Sequence, residues 1–217
     1  MSGKSQSAPG DRQAFGLRIP RRSDAQLRAL RATHPPAHQG WRLWGATWLL
    51  LNYLEAQQLQ GERVIDIGCG WGLAGVYCAH RGAHVMSCDL DPEVLPIAQY
   101  HAQLNDVTIS TQAHGFDAIS GAMLTGVSWV VGADICFRGD LMEPLFGLLN
   151  RARDAGARVA IADPGRPPYQ ALASRCVEEL DAWTGPCETP EPLVAWPGAR
   201  PLVHGRLLTI GALPPAA

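Results

Sequence analysis

Four acids and three glycines carry the chemistry legible in this chain. Asp66 lies inside the apolar run Val64-Ile65-Asp66-Ile67, and Gly68, Gly70 and Gly72 alternate directly after it. A strand running into a glycine turn and a helix start is a ligand-binding device. Glycine lets the backbone approach the ligand, and the first helical N–H groups have no partner within the helix. The acid two residues before the first glycine suits a ligand that carries a cation. Asp89 closes a second apolar run, Ala83 to Cys88, where a carboxylate can accept two hydrogen bonds from vicinal hydroxyls. Asp117 follows a weaker third run, in His114-Gly115-Phe116-Asp117. Asp134 ends Val130-Val131-Gly132-Ala133 and precedes Phe137 by three residues.

Positioning these groups requires strands whose carboxyl ends converge. Strand signals fall near 63–67, 84–88, 107–112, 128–133, 157–162 and 206–211. Helix signals fall near 72–81, 92–104, 140–154 and 168–182, with a short one near 116–123. Such alternation implies a mostly parallel sheet with helices on both faces and ligands at the strands' carboxyl ends. Upstream, Ser23-Asp24-Ala25-Gln26 reads as a capping box for a helix through about Ala32, ended by Pro35-Pro36. A Trp-rich segment, Trp41 to Trp44, precedes a helix expected from Ala46 to Leu59. Asp91, followed by Pro92, reads as a helix cap. The expected organisation is a disordered tail over 1–15, a helical extension over 16–37 and a single domain over 38–217. Residues 183–205, rich in Pro and Gly, are expected to hold one poorly signalled strand and a hairpin into the last strand.

Composition bounds the partners. The chain of 217 residues has net charge −2 and no long basic run, which argues against nucleic acid; Arg18, Arg21, Arg22, Arg28 and Arg31 read as a solvated face. Six cysteines without a C-x-x-C pair indicate reduced thiols. His80, His84 and Cys88 are the nearest approach to a metal cluster, and Gly82 separates the histidines, so no metal is expected. The polar start lacks the apolar core of a signal peptide, and no apolar run reaches the ~18 residues of a membrane span. The expectation is a cytoplasmic protein with no membrane partner.

Two nucleotide readings compete. Gly70-Trp71-Gly72-Leu73-Ala74-Gly75 matches the dinucleotide fingerprint G-x-G-x-x-G, with Asp89 near the ribose-acid distance. Against it, the strand ends at Ile67, so the tight turn should use Gly68. Asp66-x-Gly68-x-Gly70-x-Gly72 instead resembles motif I of the class I S-adenosylmethionine (AdoMet) methyltransferases. Asp134-Ile135-Cys136-Phe137 resembles the D-x-x-Y motif of the seven-strand lysine methyltransferases. That group includes the electron-transfer-flavoprotein β-subunit methyltransferase and bacterial nicotinamide N-methylase-like proteins. Asp163-Pro164-Gly165-Arg166 is similar to a turn in the same group, and the resemblance covers about residues 38–212.

The resemblance implies an α/β, Rossmann-like, doubly wound seven-stranded sheet, mostly parallel with an antiparallel last strand. It implies AdoMet held by Trp41, Asp66, Gly68, Gly70, Gly72, Asp89 and Asp117, with Asp134 and Phe137 at the acceptor; Trp41 and Phe137 would also shape its channel. The acceptor would be a protein lysine or a small amine or heteroaromatic nitrogen; a silent AdoMet-binding module is the non-enzymatic alternative. One residue departs from the group: Phe137 stands where tyrosine is usual and supplies no hydroxyl, which Tyr53 or Tyr169 would have to provide. Asp163 and Arg166 either meet the substrate or fix a turn.

Overall fold

The computed structural model describes residues 12–37, 40, 42–189 and 203–215. Trp41 lies outside the described residues, as does most of the 183–205 segment. The chain begins with a hairpin, β1 (Arg12–Ala14) and β2 (Leu17–Ile19), followed by α1 (Ala25–Thr33) and α2 (Gly45–Glu55). The sheet strands are β3 (Arg63–Ile67), β4 (His84–Asp89), β5 (Ser110–Ala113), β6 (Trp129–Ala133), β7 (Arg158–Asp163), β8 (Trp183–Glu188) and β9 (His204–Ile210). The remaining helices are α3 (Leu73–His80), α4 (Leu95–Leu104), α5 (Gly121–Leu124), α6 (Met142–Asp154) and α7 (Pro167–Leu180). Strand order is β5-β4-β3-β6-β7-β9-β8, and β9 runs antiparallel to both its neighbours. The order reverses at β3, between β4 and β6, so the ends of these three strands meet at the switch point where such sheets bind ligands.

Both faces are buried, which is why the central strands read as apolar runs rather than as alternations. The two-residue period still sorts them. Val64, Val131, Ala160 and Ala162 join the core under α2 and α3, while Ile65, Ile67, Val130, Val159 and Ile161 join the core under α6 and α7. Asp66, two residues from Val64, therefore faces α3. Helix α2 is buried nearly all round and lies across β6, β7 and β9.

The N-terminal region differs from the expected disordered tail and helical extension. Residues 12–14 pair with 17–19 through a two-residue turn whose central residues, Phe15 and Gly16, both have positive φ (53° and 77°). Hairpin turns of this kind usually carry Asn-Gly or Asp-Gly, so the sequence offers no signal for it. Packing compensates: the Phe15 ring stacks on Trp48 at 6.2 Å and meets Tyr77 edge-on at 5.9 Å. The helix cap is Asp24 rather than Ser23; its Oδ1 accepts from Leu27 N at 2.7 Å and from the Tyr100 hydroxyl at 3.0 Å.

Asn105 holds the hairpin to α4. Its Oδ1 accepts from Arg18 N at 2.7 Å, and its Nδ2 donates to Arg18 O and His101 O, both at 2.9 Å. We expect Asn105→Ala to cost about 1–3 kcal/mol, because Arg18 N loses its Asn105 acceptor while Arg18 O loses its Asn105 donor and keeps His101 Nε2 at 3.1 Å. A urea titration and faster proteolysis before α1 would check it; an unchanged midpoint would refute it.

Smaller differences lie at element ends. β5 starts at Ser110 rather than 107, because the chain leaves α4 through Asp106 at φ 55° before it reaches β4. α2 stops at Glu55, with Leu59 buried beyond it. The helices expected from 92 and 140 open with 3-10 turns, and the one near 116–123 divides into a 3-10 turn and α5. β8 contains Pro186, tolerated on an outer strand. No described helix is long and apolar enough to cross a membrane.

Candidate active site

The glycine turn forms as read. β3 ends at Ile67, and Gly68, Gly70 and Gly72 take φ of 60°, 49° and 71°, a region that side chains rarely enter. A Cβ on Gly68 would lie 2.6 Å from Ile135 Cγ2, and one on Gly70 would lie 3.1 Å from Gly40 O. One on Gly72 would lie 2.7 Å from Ala98 Cβ. The turn is thus pressed between the Asp134 loop, the segment before α2, and α4. Contact of Gly68 with Ile135 makes the glycine turn and the Asp134 loop immediate neighbours.

Asp66 is 2% exposed, and its Oδ2 accepts from Gly75 N at 2.9 Å. Burial pushes its pKa up to about 7; the Gly75 N–H opposes this, and the nearby charge of Asp89 adds to it. Gly75 permits the close approach of α3. A Cβ there would run into Ser87 Oγ and lie 2.9 Å from Asp66 Oδ2 and 3.2 Å from Val85 Cγ1. Alanine favours a helix interior by up to about 1 kcal/mol, but overpacking a tight core costs about 1–3 kcal/mol. Gly75→Ala should therefore destabilise the protein on balance; equal or higher stability in denaturant would refute this reading.

Asp89 closes β4 beside the turn. Its Oδ2 accepts from Gly70 N at 2.9 Å and its Oδ1 from Asp91 N at 3.0 Å. A carboxylate offers about four acceptor positions, so these bonds are compatible with hydroxyl donors. Asp91 caps the following 3-10 turn through Glu93 N at 3.0 Å and also accepts from Ala37 N at 2.7 Å. His34 Nδ1 lies 3.0 Å from Glu93 Oε2, so residues 34–37 are fastened along the Asp89 loop. Asp117 is exposed in the first turn after β5. Leu90, which the sequence reading passed over, is 66% exposed beside Asp89, with Gly115 against it. An exposed leucine between two acids was the available signal.

Asp134 is 7% exposed and sits at φ 61°, a strained conformation for a residue with a side chain. Its Oδ2 accepts from Ala46 N at the start of α2, at 3.1 Å, and its Oδ1 from Arg166 Nη2 at 2.6 Å. Arg166 also donates to Asp163 Oδ2, so the acid that follows β6 and the D-P-G-R turn form one cluster. Burial pushes the Asp134 pKa up to about 6, against the pull of Arg166 and the Ala46 N–H. Phe137 is 37% exposed, with the Arg138 and Arg166 guanidiniums 5.6 Å and 6.0 Å from its ring centre. Neither tyrosine supplies the missing hydroxyl. Tyr53 donates to Leu213 O at 2.7 Å, and Tyr169 is fully buried with its hydroxyl at Ile161 O.

This set of carboxylate acceptors suits a cationic ligand. The charge acting on buried Asp66 is that of a second carboxylate, an arrangement that repels a pyrophosphate and welcomes a sulfonium and an ammonium. The dinucleotide reading of Gly70–Gly75 loses ground for that reason, although Gly75 does serve close helix packing.

Residues 33–131 match the methyltransferase small domain family. A stretch of 106 residues is 34% identical to the ribosomal protein L11 methyltransferase of Marinobacter nauticus, covering 48% of this chain and 33% of that protein. A shorter stretch of 52 residues is 44% identical to the ubiquinone biosynthesis O-methyltransferase of Xylella fastidiosa, covering 24% of this chain and 21% of that one. The chain thus spans a third or less of these curated relatives. Among solved structures, magnesium protoporphyrin IX methyltransferase from Synechocystis PCC 6803 with bound AdoMet superposes at a TM-score of 0.52 and 15% identity, over 86% of this chain and 80% of that one. The chain thus shares the fold of a solved AdoMet-binding methyltransferase, and its match to the methyltransferase small domain spans the glycine turn.

Proposed function

We propose that this protein transfers a methyl group from AdoMet to a nitrogen acceptor, and that the acceptor is the side chain of a protein lysine. Asp66, Asp89 and the turn from Gly68 to Gly72 would hold AdoMet, with Leu90 against its flat base and Asp117 near the base amine. When bound, AdoMet supplies a methyl group already activated by its sulfonium. The protein's tasks are then alignment and exclusion of water. A free lysine amine has a pKa near ~10.4 and reacts only when neutral, so its ammonium proton must pass to solvent before the lone pair attacks. Asp134 accepts a hydrogen bond from that amine and aims its lone pair.

The observation that carries this reading is Asp134 itself: buried, strained and placed against the glycine turn through Ile135. Strain of this kind persists where surrounding structure enforces it, and it concentrates at reactive sites. One observation favours a small heteroaromatic acceptor instead. The Phe137 ring already carries two guanidiniums, so it makes a poor cage for a methylammonium.

Calorimetric titration with AdoMet, S-adenosylhomocysteine and NADH tests the cofactor. AdoMet binding without NADH binding is expected; NADH binding alone would overturn it. Labelled AdoMet with host lysate then tests the acceptor. Label in protein, retained after acid hydrolysis as methyl-lysine, is expected. Label confined to small molecules would favour the heteroaromatic reading, and AdoMet binding without any transfer would favour the silent module.

A further inference from the structure

The D-P-G-R turn holds itself without its arginine side chain. Asp163 Oδ1 accepts from Gly165 N at 2.8 Å and from Arg166 N at 2.9 Å, and Gln170 Nε2 donates to Gly165 O at 2.6 Å. None of these bonds uses the guanidinium. That group instead reaches back across the sheet end, from the start of α7, to Asp134 on the β6 loop. It is partly exposed, whereas both carboxylates that it joins are almost fully buried. A buried carboxylate keeps its charge only when a cation or several donors face it.

From this geometry we infer that Arg166 is a positioning residue for the methyl acceptor: its guanidinium spans Asp163 and Asp134 and fixes the charge and orientation of the Asp134 carboxylate. The inference rests on the proposed methyl-transfer reading for its consequence in catalysis, but the clamp itself is a property of this chain alone. Arg166 is held in turn by Asp163, so Asp163 sets how much of the guanidinium's charge Asp134 receives. The groups facing Asp134 are Arg166 and Asp163 from the β7–α7 turn and the Ala46 N–H from α2. The Cys136 thiol, on the same loop, feels the same pair of charges. Arg206 of β9 packs over Gly165, and Arg138 stands over Phe137.

The test compares wild type with Arg166→Gln, Arg166→Lys and Asp163→Asn. The 13C carboxyl resonance of Asp134, assigned by its loss in Asp134→Asn, is followed against pH in each, alongside AdoMet affinity and the pH dependence of kcat. In Arg166→Gln the Asp134 midpoint should rise by about one to three pH units, the effect expected of losing an opposite charge at contact. Activity should then fall most at acid pH, with AdoMet affinity within about twofold of wild type. Arg166→Lys should keep the midpoint near wild type yet lose part of kcat, because an ammonium lacks the planar fork that spans two carboxylates. Asp163→Asn should move the midpoint downward. Opposite shifts from two partners of one clamp are not expected of a merely structural role. An unchanged midpoint in Arg166→Gln, or shifts of the same sign in Arg166→Gln and Asp163→Asn, would overturn the inference. Should Asp163→Asn fail to fold, the glutamine and lysine variants still decide it. Wild type that titrates as expected but transfers no methyl would sink the function and leave the clamp standing.

Discussion

Asp134→Asn is expected to cut methyl transfer by about 10²–10⁴-fold while AdoMet affinity stays within a few-fold, the range over which a positioned acid or base contributes. Asparagine is the informative replacement. At φ 61° an alanine would meet the steric penalty of the left-handed region, about 1–2 kcal/mol, whereas asparagine enters it more readily. Its carbonyl can still accept from Ala46 N, so the start of α2 keeps its cap. The negative charge facing the acceptor is lost, and Arg166 turns wholly to Asp163. Single-turnover assays with saturating AdoMet would separate the chemical step from binding. Wild-type kcat in the variant would remove Asp134 from the mechanism, and a large loss of AdoMet affinity would reassign it to the cofactor.

Asp66→Asn should weaken AdoMet by at least about tenfold, and it should make the ligand-free protein more stable at pH 8. Both effects come from one buried carboxylate. The asparagine carbonyl can still accept from Gly75 N, so α3 keeps its contact with β3. The folded-state pKa of Asp66, about 7, is above the ordinary aspartate value of 3.8. Folding is therefore favoured by the protonated form. Its contribution is fully present below about pH 3.8 and is lost as the pH rises through about 7. Asparagine resembles the protonated form at every pH, so the stability gained in the variant should be largest at pH 8 and vanish towards pH 4. Thermal unfolding at both pH values reads this directly.

A bound sulfonium and ammonium would reverse the balance and favour the carboxylate. AdoMet binding near pH 7 should then release protons, seen as a dependence of the calorimetric heat on the ionisation enthalpy of the buffer. AdoMet affinity should also rise between pH 6 and 8. Wild-type affinity in Asp66→Asn, or buffer-independent heats, would contradict this account.

What the sequence determined by itself is local. Three alternating glycines two places after an acid favour a left-handed turn, because other residues rarely enter positive φ. The two-residue period of a strand puts Asp66 on the face of Val64 and so towards α3. Apolar runs alternating with helices determine a parallel sheet, and with it the convergence of Asp66, Asp89 and Asp134 at the switch point. The tertiary structure decided what those acids touch. Arg166 lies 32 positions from Asp134, and Ala46 lies 88 away. They meet because β6 pairs with β7 so that Ala133 faces Ala162, and because those small residues let α2 settle over the strands. No local spacing encodes a distance of that kind. The Phe15–Gly16 turn is the same lesson at the other end of the chain: a phenylalanine at positive φ is unfavourable alone, and the rings of Trp48 and Tyr77, brought from α2 and α3, make it the stable choice. Spacing along the chain selects conformations that its nearest neighbours enforce; the charge, strain and reach of a side chain depend on groups that only the folded sheet brings within bonding distance.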